Sequence, residues 1–253
     1  MKVLATDYDG TLKVDGEISA ENKIALQRWR NAGNAFGIVT GRSTTTIMDE
    51  IKKNKLDVDF LICNNGGVIL DKDYNILKLS LIDFSEAEKI LAYLETYDCS
   101  AYVLNDGIHR AKKVLKEHHD DLHNAPSTVS VETILKQQKI AQIVVGFENQ
   151  AEANALAFAL NDEFGDAIEA FANVNCVDVV PKGVSKAEGI AFVAKRDGLN
   201  KKAIYTIGDS YNDICMLEAF TGATLEHAQA DIKGLVDYVV KDVATYLQIV
   251  DSL

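Results

Sequence analysis

The chain has 253 residues, a formal net charge of −12, 47% hydrophobic residues and 25% charged ones. That length holds one large domain or two modest ones, and the composition is that of an ordinary globular protein rather than a disordered or fibrous chain. The acidic balance argues against nucleic-acid and anionic-membrane partners, so an anionic ligand needs a local positive site.

In chain order, Val3 to Thr6 is a short apolar run. Ser19 is placed to cap a helix reaching about Ala32, with Gly33 as its stop. Ala35 to Val39 reads as the next strand, Ser43 opens a second helix with Ile47, Met48 and Ile51, and Phe60 to Cys63 is a third strand. Short apolar strands alternating with helices predict a parallel sheet covered on both faces. Val68 to Leu70 and Ile76 to Leu79, around Asp71-Lys72-Asp73, predict an appended hairpin.

The pattern changes after about residue 80. Ser85 and Glu88 read as a capping box for a helix carrying Ile90, Leu91 and Leu94. Strand-like segments follow at Ala101 to Leu104, Val129 to Val131 and Ile140 to Phe147, then a helix from about Asn149 to Phe164 and strands near Ala167 to Ala172 and Cys176 to Val180. This stretch reads as an α+β unit. Alternation then resumes: Ser185 and Glu188 form a second capping box, Ala203 to Ile207 a strand, Asp213 to Ala219 a helix, and Ala223 to Leu225 and Tyr238 to Val240 strands. The expected organisation is a discontinuous α/β core, a Rossmann-like doubly wound parallel sheet from residues 1–80 and 181–253, interrupted by an inserted α+β cap at 81–180.

Cys63, Cys99, Cys176 and Cys215 include no Cys-x-x-Cys pair, so buried thiols in a reducing cytoplasm are expected rather than zinc ligands or disulfides. The apolar run before Asp7 is too short for a signal peptide, and no apolar stretch is long enough to span a bilayer. His118, His119 and His123 sit on a polar, helix-like segment and read as a solvated face.

Polar clusters recur where core strands end, the edge at which open α/β sheets bind ligands. Asp7-Tyr8-Asp9-Gly10-Thr11 follows the first strand. Asp-Gly alone is an ordinary turn, but two carboxylates two residues apart on an extended chain point the same way. Their mutual repulsion calls for a cation, and a hard, oxygen-liganded ion such as Mg²⁺ suits them. Thr40-Gly41-Arg42-Ser43 follows the second strand; it is either a plain helix start or a phosphate cradle. Gly208-Asp209-Ser210-Tyr211-Asn212-Asp213 brings further carboxylates to the end of a later strand. Lys186 lies in the first turn of a helix, where the dipole disfavours a cation; that misfit points to an anion nearby, with Lys182 as the competing lysine.

The ordered set Asp7-x-Asp9-Gly10-Thr11-Leu12, Thr40-Gly41-Arg42, Lys186 and Gly208-Asp209-x-x-Asn212-Asp213 resembles the four motifs of the haloacid dehalogenase (HAD) superfamily. Asn64-Asn65-Gly66-Gly67 and Pro181-x-Gly183-Val184-Ser185-Lys186 resemble its Cof-type subgroup. The resemblance implies a type IIB cap and Mg²⁺-dependent hydrolysis of a small phosphomonoester such as a sugar phosphate. Asp7 would be nucleophile and metal ligand, and Asp9 general acid and base with its backbone carbonyl on the metal. Asp209 and Asp213 would complete the metal site. Thr11, Thr40, Gly41, Arg42, Asn65, Lys186 and Asn212 would serve phosphate or substrate. The resemblance favours Lys186 over Lys182, and the departure at Tyr8, where an aliphatic residue is commoner, is expected to leave the chemistry alone. A phosphoryl transferase or mutase on the same scaffold and a receiver-like signalling module are the alternatives. Nothing in the residues points to an oligomeric state.

Overall fold

The computed structural model describes residues 1–116, 127–173 and 175–252. His118, His119 and His123 lie outside the described residues. Strands β1 (Val3–Thr6), β2 (Ala35–Val39), β3 (Phe60–Cys63), β4 (Val68–Asp71), β5 (Ile76–Leu79), β6 (Ala101–Asn105), β7 (Arg110–Val114), β8 (Gln142–Gly146), β9 (Ile168–Asn173), β10 (Cys176–Pro181), β11 (Ile204–Gly208), β12 (Thr221–Leu225) and β13 (Tyr238–Val240) form two sheets. Helices are α1 (Ala20–Asn31), α2 (Thr44–Asn54), α3 (Phe84–Thr96), α4 (Val131–Gln137), α5 (Gln150–Phe164), α6 (Lys186–Arg196), α7 (Ile214–Ala219), α8 (Ala230–Lys233) and α9 (Val243–Asp251).

The larger sheet runs β13-β12-β11-β1-β2-β3-β4-β5. It is parallel from β13 to β3, and the β4–β5 hairpin adds two antiparallel strands. Alternate residues divide between its two faces, as a strand's period of two requires. Leu4, Ile38, Leu61 and Ile207 pack with Trp29 of α1, Ile47 of α2 and Tyr246 and Leu247 of α9. Val3, Ala5, Val39, Ile62 and Ile204 pack instead with Ile190 and Val193 of α6 and Met216 of α7. Burial on both faces explains why these strands read as unbroken apolar runs. The chain winds one way from β1 through β2 and β3 and the other way through β11 to β13. The switch point therefore lies between β1 and β11, and a crevice opens there beyond the strand ends.

The smaller sheet, β7-β6-β8-β10-β9, is antiparallel throughout. Tyr102, Leu104, Ile143, Val145, Val177 and Val179 pack under α3 and α5, with Ile90, Leu94, Leu156 and Leu160. The alternate residues, Val103, Asn105, Gln142, Val144, Cys176 and Asp178, face the other way and line a cavity shared with the larger sheet's rim. An inserted sheet with helices on one face and a ligand cavity on the other is a cap, and it separates this chain from a single-domain receiver.

Several local expectations need correction. Val129 to Val131 is not a strand: Ser130 Oγ accepts from Thr133 N at 3.2 Å and starts α4, so a hydroxyl cap overrides the β-branched residues. The start of α3 is capped by Asp83, which accepts from Ser85 N at 2.9 Å, and not by Ser85. Strand β7, Arg-Ala-Lys-Lys-Val, carries too many charges to read as a strand, yet pairs along all of β6. None of the four cysteines is in a disulfide among the described residues, but only Cys63 and Cys99 are fully buried. No helix among the described residues is long and apolar enough to cross a membrane.

Candidate active site

Asp7 leaves the C-terminal end of β1, its N–H still donating to Ile207 O of β11 at 2.9 Å. Gly10, at φ +83°, turns the chain back; a side chain there would collide with the Asp209 carboxylate, so glycine lets the loops after β1 and β11 close on each other. Asp213 ends the turn after β11 and accepts from the N–H groups of Asp209 and Ser210, both at 3.0 Å. Lys186 enters from the first turn of α6. It is only 1% exposed, and its Nζ reaches Asp7 Oδ1 at 2.6 Å and Asp213 Oδ1 at 2.5 Å. Asn64, Asn65 and Gly66 fold into a turn against that helix start, where Gly66, at φ +109°, leaves no room for a side chain beside Ser185 O.

Asp7, Asp209 and Asp213 bring carboxylate oxygens within 4.8 Å of one another. One ammonium cannot neutralise three carboxylates. Burial pushes the Asp7 carboxyl well above its ordinary value, helped by Asp213 and Asp209 and opposed by Lys186. Burial likewise raises Asp209 against the hydrogen bond from Thr11. For Lys186, burial favours loss of the proton, but the Asp213 and Asp7 charges outweigh it and hold the ammonium above its usual range. An all-oxygen cluster with surplus negative charge fits a hard divalent cation.

The remaining residues take varied positions. Thr40 is buried in the cavity wall, its hydroxyl accepting from Arg42 N at 3.1 Å. Arg42 grips Asp9 with Nε and Nη2 on Oδ2 and Oδ1 at 2.5 and 2.7 Å. The Asp9 side chain is 49% exposed, and its carboxylate is not part of the Asp7–Asp209–Asp213 cluster. Thr11 does not face the cavity: it is fully buried and donates to Asp209 Oδ1 at 2.5 Å. Asn65 is also turned away, joining Asn212 Nδ2 at 3.2 Å to Asp178 Oδ2 at 2.9 Å. Asn212 lines the cavity with its Oδ1 unpaired. Gly41 offers its carbonyl to Gln142 Nε2 at 3.1 Å. Lys182, with a side chain 55% exposed, lies 3.5 Å from Glu169 and does not line the cavity.

Other residues at the site escaped the sequence reading. Tyr8 is buried under the Arg42 guanidinium, 5.4 Å from ring centroid to Cζ, and donates to Glu50 at 2.8 Å. Its ring therefore packs against the guanidinium that holds Asp9. His227 Nε2 stands 3.8 Å from Asp209 Oδ2. From the cap, Asp178 accepts from Asn65 and from Gln142 Nε2 at 3.1 Å, and Thr44 Oγ1 of the core donates to Gly107 O at 2.6 Å. Asp178 carried a legible signal, a lone charge within the apolar Cys-Val-Asp-Val-Val run. Burial raises its carboxyl to about 6. The cavity between these layers is about 630 Å³, a size suited to a small metabolite.

Similarity to known proteins agrees with this geometry. The family described as haloacid dehalogenase-like hydrolase matches residues 4–245. The 5-amino-6-(5-phospho-D-ribitylamino)uracil phosphatase YwtE of Bacillus subtilis is 28% identical, over 95% of this chain and 93% of that protein. The pyridoxal phosphate phosphatase YbhA of Escherichia coli is 27% identical, over 96% and 94%. Among solved structures, the HAD subclass IIB sugar phosphatase BT4131 superposes with a TM-score of 0.83 at 22% identity, covering 100% of both chains. With a family match over nearly its whole length and the same capped architecture, the chain belongs to the haloacid dehalogenase-like hydrolases, in their Cof-type group.

Proposed function

We infer that the protein hydrolyses small phosphomonoesters with Mg²⁺ as cofactor, through an aspartyl-phosphate intermediate on Asp7. The observation that carries this reading is the meeting of Asp7, Asp209, Asp213 and Lys186 at one strand rim, beside a cavity shared with the cap sheet. The relatives' names, a ribitylaminouracil phosphate phosphatase and a pyridoxal phosphate phosphatase, indicate the size class of substrate. Free thiols suit a reducing compartment such as the cytoplasm.

Asp7, Asp209 and Asp213 would hold the cation, which when bound offsets their surplus charge and polarises the phosphoryl oxygens. Lys186 fixes one Asp7 oxygen and has a further N–H for the phosphoryl group. The other Asp7 oxygen attacks phosphorus in line, and the P–O bond to the leaving alkoxide breaks. Asp9, released from the Arg42 fork and protonated from solvent, gives that proton to the leaving alkoxide. Asp9 then takes a proton from water, the water oxygen bonds to phosphorus, and phosphate departs with Asp7 restored. The Thr40 hydroxyl and the loop after β2 line the same cavity and would border the phosphoryl group.

A phosphate-release screen over several dozen small monoesters with Mg²⁺ tests the reading. Release that chelation stops is expected. No release from any ester would overturn it, and transfer to an added alcohol in place of water would reassign the protein to phosphoryl transfer.

A further inference from the structure

Arg110 opens β7 directly opposite Asn105 of β6 and lines the cavity. It is 4% exposed. Among the described residues, its Nε and Nη2 have no hydrogen-bond partner and no carboxylate pairs with it. Buried guanidinium groups are almost always paired, because an isolated charge in a low-dielectric site is costly. Nε and Nη2 form one edge of the planar fork, the edge that Arg42 uses on the Asp9 carboxylate. On Arg110 that edge is unused. Burial, with the like charge of Arg42 adding to it, lowers the Arg110 pKa from its ordinary value, yet an arginine stays protonated. Asn105 adds an unpaired, buried Oδ1, its amide nitrogen being committed to Gln142 at 2.9 Å.

We propose that Arg110 is a specificity-determining residue that takes an oxyanion on the leaving-group side of the substrate, a carboxylate or a second phosphate, while Asn105 Oδ1 accepts from a neighbouring hydroxyl. The inference deepens the phosphatase reading and rests on it. The substrate class is a small polyhydroxylated phosphomonoester with a second negative group. Such a ligand supplies the counter-ion the cap lacks, and its phosphoryl end lies against the core rim.

Matched pairs test this with the full-length protein and Mg²⁺: phosphoglycerate against glycerol phosphate for the carboxylate, and fructose bisphosphate against fructose monophosphate for the second phosphate. The readout is the ratio of kcat/KM within each pair. Hydrogen bonds to charged groups are strong enough that the ratio should exceed one by about 10-fold or more in at least one arm, and fall roughly 10–100-fold in Arg110→Met. Arg110→Lys, which keeps the charge and loses the fork, should fall between. The arm that responds names the source of the oxyanion. A ratio near or below one in both arms, or one that Arg110→Met leaves unchanged, overturns the proposal. Unfolding without ligand gives a second readout: removing an unpaired buried charge should leave the midpoint of Arg110→Met level or higher, and a lower midpoint would mark a structural residue and end the proposal. Hydrolysis of the members without a second anionic group by the unaltered protein reports on the phosphatase reading separately; if it cleaves no member of either pair the proposal falls, while the broader ester screen decides the phosphatase reading.

Discussion

The two layers that face the cavity carry opposite electrostatic deficits. On the core rim, Asp7, Asp209 and Asp213 share the single ammonium of Lys186. On the cap face, Arg110 has no counter-ion among the described residues. The core cluster lacks positive charge and Arg110 lacks a negative partner, the cap's Asp178 being bonded instead to Asn65 and Gln142. A cation answers the first deficit and an anionic ligand the second, so one occupant bridging the layers satisfies both. The core groups are locked by hydrogen bonds from the backbone and from Thr11, as groups that must be ready for chemistry should be. The cap groups are left open, as groups that must select among ligands should be.

The strongest test of this division is Asp7→Asn, which should lower the rate of phosphate release by about 10⁴-fold or more while the urea unfolding curve keeps its cooperativity. A loss under about 10-fold would move the chemistry away from the core rim. Next, Lys186→Met strips the only cation that, among the described residues, touches Asp7 and Asp213. Without divalent metal it should cost about 3–5 kcal/mol in denaturant melts, whereas Lys182→Ala should stay within about 0.5 kcal/mol. Equal effects would erase the distinction between the two lysines.

Asp178 sharpens the comparison at the seam. Its carboxyl titrates near 6 in the folded chain against an ordinary 3.8. Between those values the folded state binds more protons than the unfolded one, so stability falls as pH rises and the loss is complete above the folded value. At 1.36 kcal/mol per unit the loss is about 3 kcal/mol. The difference in unfolding free energy between pH 4 and pH 7 should shrink by about that amount in Asp178→Asn, and an unchanged difference would refute the assignment. The smallest effect lies wholly in the cap: Asp83→Ala should cost about 1 kcal/mol by loss of the α3 N-cap, and Ser85→Ala less. The reverse order in thermal melts would restore Ser85 as the cap.

The same division governs what the sequence discloses. The core was readable because strands buried on both faces give apolar runs, and the polar residues that end them, Asp7, Thr40 and Asp209, fall together once the strands are parallel. Lys186 was readable as a cation at the wrong end of a helix. The cap face was not. Arg110 precedes Lys112 and Lys113 and looks like one of three solvated charges; only packing against the other sheet's rim buries it. Asn65 and Thr11 sit inside motifs that suggest ligand contact, yet both spend their polar atoms bracing neighbours, a choice set by side-chain direction that spacing does not encode.

The bonds from Gln142 to Gly41, Asn65 to Asp178 and Thr44 to Gly107 tie the layers together across the seam. At about 1 kcal/mol net each, parting all three would cost about 3 kcal/mol, a population somewhat under one molecule in a hundred. Were entry to require that parting, a newcomer's apparent affinity would be weakened by about the same factor. Loosening these ties should make the enzyme bind more readily and guard its reactive ester against stray water less well.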